Sequence, residues 1–410
     1  MNRKENQTNY NELILSLSKE LRSGKTLTGK DGVFTPLIKA VLEASLEVEM
    51  DEHLEQSKQQ VSNRRNGKIS KQVKSSAGSF EIFTPRDRNG SFEPQTLPKR
   101  QRQLTNDLDT KIISLYGKGM SYSDIQDHFK DLYDVDLSVG TINAITDRLL
   151  PEILEWQSRP LESVYPVMWL DAMHFKVREQ GKVISKAVYS VLGVNQEGEK
   201  QVLGIYFGDS ESSSFWRSVL YELQQRGVKD IFIACIDNLR GFGDAIEDIF
   251  PLTDVQLCLV HQMRNSLKYL NEKDLKKVIS DLRKIYTALN EQAAKQYLEQ
   301  AEQTWGAKYK IVFKSWNTNW ERLSNFYKYP PALRRIIYTT NPIESYHRMV
   351  RKVTKTKGAF TSESAIVKQI YLATINANTK WNGCMFAWSS VRRDLADYFD
   401  KRFLKDDTLN

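Results

Sequence analysis

The spacing of apolar residues in the first 60 residues predicts one long amphipathic helix. In FTPLIKAVLEASLEVEMDEHL, Thr35 can cap a helix and Pro36 suits its first position. The apolar side chains fall mostly at helical spacing, at Leu37, Val41, Leu42, Leu46 and Leu54. Such a helix suits packing or oligomerisation better than chemistry, and residues 1–60 are also compatible with DNA binding.

Residues 61–104 change to short runs with turn residues between them. QVK and FEIF are separated by SSAGS, and PRDRNGS follows the second run. These features predict a β-hairpin in an open, loop-rich unit.

Three short helices are predicted in residues 105–149. LDTKIISLYGKGM ends in a glycine-containing turn, SDIQDHFKDLY follows, and Ser138 can cap VGTINAITDRLL. The last segment has one apolar stripe, formed by Val139, Ile142, Ile145 and Leu149. This outline predicts a helix-turn-helix domain over residues 105–160, with polar side chains free to contact DNA at Thr141, Asn143 and Arg148. A three-helix packing module that binds no DNA has the same pattern.

The chain becomes rich in β-type runs near residue 165. YPVMWLDAMHFKV, VISKAVYSVLGVN and KQVLGIYFG predict a three-stranded meander. A helix in SSSFWRSVLYELQQRG, a buried strand in DIFIACID, a helix in GFGDAIEDIF and a strand in VQLCLV follow. Three strands, helix, strand, helix and strand is the order of a ribonuclease H-like α/β core.

Composition adds an expectation about the partner. The 410 residues exceed one ordinary core, so several domains are expected. Lys and Arg number 59 against 51 Asp and Glu, and the net charge of +8 favours a polyanionic partner. Residues 61–104 carry ten basic and three acidic residues, a local net charge of +7. This segment is either a solvated basic linker or a DNA-contacting module. Its candidate DNA ligands are Arg64, Arg65, Lys68, Arg86, Arg88, Lys99, Arg100 and Arg102.

The cysteines and the hydropathy pattern favour the cytoplasm. Cys235, Cys258 and Cys384 show no disulfide-framework spacing, which is typical of a reducing compartment. No run approaches ~18 consecutive apolar residues, and the N-terminal sequence lacks a signal-peptide core. We therefore expect an intracellular protein without a membrane partner.

Two acids stand in apolar strands. Asp171 interrupts the strand VMWLDAMHF, and Asp237 closes IFIACID. Burying a carboxylate costs several kcal/mol unless a positive group compensates it. If adjacent strands bring both acids to one edge, a third acid would complete an oxygen-rich site for two Mg²⁺ ions. Asp237 also fits a simple turn acid.

Glu344 is the candidate third acid. It falls in the first turn of a helix predicted from NPIESYHRMVRKV, whose Arg348, Arg351 and Lys352 are suited to hold DNA phosphates. The alternative is a Glu that stabilises the helix dipole and pairs with Arg348. Cys258 and His261 have zinc-like C-x-x-H spacing, but no second pair accompanies them.

Several long motifs together resemble bacterial insertion-sequence transposases of the Mutator superfamily. They include VMWLDAMHFKV, FWRSVLYELQQRGVKDIFIACIDNLRGF, VQLCLVHQMRNSLKY and TTNPIESYHRMVRKVTKTKGAF, and the resemblance spans most of residues 35–395. It implies a DDE active site at Asp171, Asp237 and Glu344 on a ribonuclease H-like fold. It also implies a positioning role for Cys258 and His261 beside the acids. The chain has IESYHR where relatives commonly have IESLNR, so Tyr346 and His347 alter the surroundings of Glu344.

The resemblance implies a division of the chain and a reaction. Small, mostly helical DNA-binding modules would precede an α/β ribonuclease H-like catalytic core with an all-α insertion domain. The expected ranges are 1–60 for the N-terminal helical region, 61–104 for the basic hairpin segment and 105–160 for the helix-turn-helix domain. The core would occupy 161–261 and 339–410, with the helical insertion at 262–338. Metal-dependent cleavage and strand transfer would act on double-stranded terminal repeats and target DNA, with two Mg²⁺ ions, or Mn²⁺ in their place. A dimer on two element ends and a replicative circular intermediate are also implied.

Two other mechanisms fit parts of the same segment. Tyr346, His347, Arg348 and Arg351 could serve a tyrosine recombinase, in which the tyrosine attacks the phosphate without a metal. A DNA-binding regulator with purely structural acids is the non-enzymatic alternative. Neither explains an acid embedded in a strand at Asp171.

Overall fold

The structure is a computed structural model that describes residues 14–28, 31–57, 63–75, 78–100, 107–208, 212–337, 341–381 and 383–403. The chain divides into two compact units, Met1–Leu149 and Leu150–Asn410. Within the described ranges, no helix is long and apolar enough to cross a membrane.

The first unit contains helices and one hairpin. Its elements are α1 (residues 14–22), α2 (Thr35–Ser57), β1 (Arg65–Ser75), β2 (Gly78–Asp87), α3 (Asp107–Gly117), α4 (Tyr122–Tyr133) and α5 (Val139–Asp147). The antiparallel pair β1–β2 is the predicted hairpin. Helix α2 packs on β2 around a small core that includes Leu46, Val73 and Ile82.

The apolar stripe predicted for α2 is wrong at two of its positions. Leu46 is buried and Leu42 is half-buried, but Leu37 and Val41 are exposed. The helix carries two apolar faces, and the hairpin covers one of them. The spacing of apolar residues does not show which of the two faces each residue belongs to.

The three predicted helices α3, α4 and α5 form and pack on one another. Ser121 and Asp124 make a reciprocal capping box on α4, and the Ser138 hydroxyl accepts the Thr141 amide hydrogen bond at the start of α5. Ile142 and Ile145 are buried as expected, whereas Val139 is 48% exposed.

The second unit is built on one mixed sheet. Its elements are α6 (Leu149–Ser158), β3 (Val164–Glu179), β4 (Lys182–Val194), β5 (Lys200–Gly208), α7 (Ser213–Gln225), β6 (Asp230–Ile236), α8 (Phe242–Ile249), β7 (Asp254–Leu257), α9 (Leu259–Leu267), α10 (Glu272–Thr287), α11 (Glu291–Trp305), α12 (Lys310–Thr318), α13 (Trp320–Ser324), a 3₁₀ turn (Asn325–Lys328), α14 (Pro331–Ile337), α15 (Asn341–Thr354), α16 (Glu363–Lys380) and α17 (Trp388–Phe403).

The five strands lie in the order β5-β4-β3-β6-β7. The meander β3–β4–β5 is antiparallel, and β6 and β7 continue the sheet parallel to β3. The predicted last strand, VQLCLV, is too long, because β7 ends at Leu257 and Cys258 already caps α9. The result is a mixed α/β fold.

Helices cover both faces of this sheet. Tyr189 on β4 meets Trp216 of α7 edge-on, and Trp216 stacks on Phe242 of α8. The next residue, Ser190, points to the opposite face. It lies across from Asp171 on β3, and that face carries α15 and α16. Residues 259–337 contribute only helices and their connections, and belong to the same compact unit as the sheet.

Candidate active site

Two carboxylates meet at the edge between β3 and β6. The parallel register pairs Leu170 with Ile236, so the residues that follow them, Asp171 and Asp237, lie side by side where β6 ends. Asp171 is 8% exposed and Asp237 is half-buried. The sequence prediction that adjacent strands bring both acids to one edge is therefore confirmed by the register.

The start of α9 brings a histidine to the same edge. The backbone N–H of Cys258 donates to the Ile236 carbonyl (2.9 Å), which fixes the first turn of α9 beside the end of β6. His261 then lies with Nδ1 3.4 Å from Oδ1 of Asp237, without hydrogen-bond geometry. Cys258 itself is buried and does not line the cavity.

Helix α15 supplies the third wall. Glu344, His347, Arg348 and Arg351 follow helical spacing and all face the two aspartates. Nδ1 of the buried His347 lies 3.4 Å from Oδ2 of Asp171. Together these elements enclose a cavity of about 360 Å³ lined by Asp171, Ala172, His174, Asp237, His261, Arg264, Glu344, His347, Arg348 and Arg351.

A compact group of metal-binding side chains lies inside the cavity. Ligand atoms of Asp171, Asp237 and His261 are all within 4.8 Å of one another. Glu344 lines the cavity but is not a member of this group. Its Oε1 instead accepts a 2.8 Å hydrogen bond from Nη2 of Arg264, which the sequence analysis did not identify.

The Arg264–Glu344 ion pair is weak enough to exchange. The Arg264 side chain is 57% exposed and the Glu344 side chain 21%. Such a pair contributes no more than about 1 kcal/mol, because water and salt screen it. A phosphate or a cation that enters the cavity can therefore replace either partner at small cost.

The two histidines differ in protonation. Burial lowers the pKa of His261, but the Cys258 hydrogen bond and the charges of Cys258, Asp237 and Asp171 outweigh it and raise that pKa to about 9. Burial, followed by repulsion from Arg351 and His261, lowers the pKa of His347 to about 3. At neutral pH a charged imidazolium and a neutral imidazole thus flank the aspartates.

The predicted DNA ligands divide between the two units. Arg348 and Arg351 line the cavity, while Lys352 is exposed on α15 outside it. The candidates of the first unit are not among its lining residues, and Arg102 lies outside the described residues. Among them, the exposed guanidinium groups without a hydrogen-bond or ion-pair partner in the described ranges are those of Arg64, Arg86, Arg88 and Arg100.

The other candidates of the first unit already have partners. Arg65 and Lys68 pair with Glu47, and Lys99 pairs with Glu93.

The three polar side chains predicted to be free on the last helix of the trihelical segment have partners in the structure, and their contact with DNA stays a prediction. The Thr141 hydroxyl hydrogen-bonds with that of Ser138, Asn143 donates to Asp147, and Arg148 pairs with Asp109. These contacts within and between helices explain why the pattern of exposed polar positions overstated their availability.

His174 also lines the cavity. It stands three residues after Asp171, so strand alternation turns the two side chains to opposite faces of β3, yet both border the cavity. The pairing of β3 with β6 ends at Leu170, and the same edge is next bridged only at Val177, by Phe360, so side chains of either face can border the edge of β3 between these pairings. His174 is not part of the compact ligand group.

Tyr346 does not have the environment of a nucleophile. Its side chain is fully buried, and its hydroxyl lies 2.8 Å from that of Thr374 on α16. Burial raises its pKa well above the ordinary value. A DNA phosphate cannot reach this hydroxyl without unpacking α15 from α16.

A cavity at the edge of a mixed sheet that combines two carboxylates and a histidine with arginines has the ligands for a metal ion and for phosphate groups. The model of the family "Transposase, Mutator family" matches residues 9–384. The chain belongs to this family, which confirms the resemblance, and it is a transposase: a DNA-binding, DDE-type polynucleotidyl transferase.

Named relatives agree with this assignment. The chain is 40% identical over 385 residues to the transposase for insertion sequence element ISRM3 of Rhizobium meliloti, covering 93% of this chain and 96% of that protein. It is 24% identical to the transposase for IS256 in transposon Tn4001 of Staphylococcus aureus, covering 89% and 95%. The Drosophila P element transposase strand transfer complex matches 72% of this chain and 85% of that chain, at 12% identity and a TM-score of 0.28. That score is too low to establish a shared fold.

Proposed function

We propose that this protein cuts the ends of an insertion sequence and joins them to target DNA, with Asp171, Asp237 and Glu344 as its catalytic acids. The observation that carries the proposal is the register of β3 with β6, which sets Asp171 beside Asp237 in the cavity that Glu344 enters from α15. We interpret the five-stranded sheet as a ribonuclease H-like core and residues 262–338 as an inserted helical domain. We also propose the finer ranges predicted from the sequence, with the helix-turn-helix domain ending at Leu149, where the first compact unit ends, because α6 belongs to the second unit.

The cavity fits a divalent cation. Two carboxylates that approach this closely in a largely buried place repel each other, and a cation offsets both the repulsion and the desolvation. Nδ1 of His261 is buried without a hydrogen-bond partner, and it would become an additional ligand when metal binding releases the imidazolium proton. Asp171, Asp237 and Glu344 would hold Mg²⁺, and Mn²⁺ would substitute for it because carboxylate oxygens suit both ions. When bound, a pair of such ions supplies Lewis-acid chemistry that stabilises charge on the attacking and leaving oxygens.

The chain's own side chains perform the remaining work. Arg348 and Arg351 stand one and two turns after Glu344 on the same wall of the cavity and would bind phosphate oxygens of the DNA. In the structure Arg264 holds Glu344, so we propose that a DNA phosphate draws Arg264 away and frees the carboxylate. Cys258 contacts His261 behind the cavity and would position the imidazole.

The first unit would hold the DNA outside the active site. Its unpartnered arginines Arg64, Arg86, Arg88 and Arg100 are the strongest candidates for phosphate contacts. We further propose double-stranded terminal repeats and target DNA as substrates, a dimer on two element ends, a circular intermediate and action in the bacterial cytoplasm. The buried Tyr346 argues against a tyrosine recombinase.

The test is strand cleavage and joining on a labelled duplex that carries the element's own end, with Mg²⁺, Mn²⁺ or EDTA. We expect Asp171→Asn, Asp237→Asn and Glu344→Gln each to abolish cleavage while DNA binding persists. Asp248→Asn is the matched control, because this exposed acid pairs with Arg217 away from the cavity.

The variant Arg264→Met separates two roles of Glu344, namely metal binding and the ion pair with Arg264. If Glu344 acted only through its ion pair, Arg264→Met would lose cleavage as completely as Glu344→Gln. We expect Arg264→Met to retain measurable cleavage. Normal cleavage by any of the three acid variants would remove that residue from the site, and cleavage in EDTA would refute the metal requirement.

A further inference from the structure

His347 stands directly beside the aspartate that is embedded in β3. Its side chain is 4% exposed, and its Nδ1 lies 3.4 Å from Oδ2 of Asp171. His347 is not a member of the compact group of metal-binding side chains, which consists of Asp171, Asp237 and His261. A buried imidazole that touches one ligand of such a group without belonging to it is placed to orient that ligand.

The packing of the preceding residue fixes the position of this ring. Tyr346 is fully buried, and its hydroxyl lies 2.8 Å from that of Thr374, which anchors α15 to α16. Helix α15 also packs on β3 and β4. Because consecutive residues of a helix are related by a fixed rotation, the anchoring of Tyr346 also sets the direction in which His347 leaves the helix.

The chemistry of the carboxylate determines which ring nitrogen suits the proton. Burial, followed by repulsion from Arg351 and His261, lowers the pKa of His347 to about 3, so the ring is neutral and carries one proton. A carboxylate only accepts hydrogen bonds, so it attracts an Nδ1–H group and repels an Nδ1 lone pair. Nε2 is buried and has no hydrogen-bond partner in the described part of the chain, so no partner there favours a proton on Nε2.

The other oxygen of the same carboxylate already has a donor. The backbone N–H of Ala172 donates to Oδ1 of Asp171 (2.8 Å). One donor on each oxygen would fix the plane of the carboxylate, and each oxygen would keep a second lone pair for a cation. The distance from Nδ1 to Oδ2 is about 0.5 Å longer than an ordinary N–H···O hydrogen bond, and a contact of this length can shorten when the carboxylate binds a cation.

We propose that His347 is a positioning residue for Asp171: its Nδ1–H donates to Oδ2 and holds the carboxylate in the orientation that binds a divalent cation. A neutral ring orients the carboxylate without adding a positive charge that would repel the cation, as a lysine or arginine would. The inference rests on the proposed function, because it takes Asp171 as a metal ligand.

The first experiment identifies the tautomer and needs neither metal nor DNA. Long-range ¹H–¹⁵N correlation spectra of the full chain, with its histidines labelled, distinguish a protonated ring nitrogen from an unprotonated one. The signals that disappear in His347→Asn belong to His347. We expect these signals to show the proton on Nδ1 near neutral pH, and a proton on Nε2 would overturn the proposal.

The second experiment measures the affinity of the full chain for Mn²⁺ without DNA, from the electron paramagnetic resonance of the free ion. Asparagine and leucine have nearly the same shape, but only the asparagine amide can donate from the position of Nδ1. We expect His347→Leu to bind Mn²⁺ at least about 10-fold more weakly than the wild type, and His347→Asn to bind within about 3-fold of it. The control His128→Leu, which removes a half-buried imidazole from α4 in the first unit, should bind like the wild type.

The same pair of variants has a second readout in the reaction. The Mg²⁺ concentration that gives half-maximal cleavage of the end duplex should rise about 10-fold for His347→Leu and stay near the wild-type value for His347→Asn. Equal losses in the two variants would overturn the proposal, because the shape of the imidazole and not its donor would then matter. The tautomer measurement stands independently of how His347→Leu folds.

Asp171→Asn distinguishes a failure of this inference from a failure of the proposed function. If the wild type binds Mn²⁺ and Asp171→Asn does not, undiminished binding by His347→Leu overturns the inference alone. If the wild type binds no Mn²⁺, or if Asp171→Asn binds it equally well, the proposed metal site and this inference are both wrong.

Discussion

Replacing His261 should change how the stability of the second unit depends on pH in the metal-free protein. His261 shares a compact group with Asp171 and Asp237; burial lowers its pKa, but the hydrogen bond and charge of Cys258, followed by the charges of Asp237 and Asp171, raise it from 6.5 to about 9. His261 therefore holds its proton more tightly in the native state than in the unfolded state. The stabilisation is complete below pH 6.5 and is lost as the pH rises through 9.

The size of the effect follows from this difference in pKa. One pKa unit corresponds to 1.36 kcal/mol, so the contribution of His261 to the free energy of unfolding is on the order of 3 kcal/mol. Solvent screening reduces it little, because the side chain is only 15% exposed. The His261→Gln variant keeps a polar side chain of similar reach and lacks the titration.

Tryptophan fluorescence during urea unfolding is the suitable assay. All eight tryptophans lie after residue 150, so the signal reports the second unit alone. Measurements in EDTA at pH 6 and pH 10 should show the wild type losing about 3 kcal/mol more than His261→Gln over this interval. Parallel pH dependences for the two proteins would refute the placement of a charged imidazolium between the aspartates.

Three further predictions use the same signal. Mn²⁺ at about ten times its Kd should stabilise the wild type by about 1.4 kcal/mol and Asp248→Asn equally, but not Asp171→Asn; equal stabilisation of all three would place the ion elsewhere. Because burial lowers the pKa of His347 to about 3, the free energy of unfolding of the wild type should fall by about 2 kcal/mol more than that of His347→Asn between pH 6.5 and pH 4.5; matching urea curves would contradict this. Leu298 is fully buried in α11, so Leu298→Ala should lower the free energy of unfolding by about 3 kcal/mol. Leu289 is 85% exposed, so Leu289→Ala should lower it by less than about 0.5 kcal/mol, and equal losses would contradict the packing of α11.

The sheet and the position of its two aspartates could be predicted from local patterns. A strand buried on both faces is a continuous apolar run, and an acid inside such a run is conspicuous. DIFIACID therefore indicated both β6 and the place where Asp237 emerges from it. The order of the runs then restricted the topology to few choices, because β6 follows the helix α7 and pairs parallel to β3.

Side-chain partners that are distant in sequence could not be predicted in this way. Arg264 and Glu344 are separated by 80 positions, and their pairing depends on how α9 and α15 approach the same edge. The contact of Arg148 with Asp109 similarly withdraws a side chain that the helical pattern had left free for DNA. The two apolar faces of α2 illustrate a related limit, since spacing indicates apolar positions but not which of them the hairpin will cover.

The three acids are held by different means, and this difference bears on how the site can be controlled. Asp171 and Asp237 are fixed by strand register, so their separation cannot change without disrupting the sheet. Glu344 is carried by a helix and held by a partly exposed arginine, so it can change partners at a cost of no more than about 1 kcal/mol. In the proposed site, two acids held by strand register would fix where a cation binds, while the third could respond to what else is bound. Because Arg348 and Arg351 lie on the same helix as Glu344, DNA that engages these arginines acts directly on the element that completes the site.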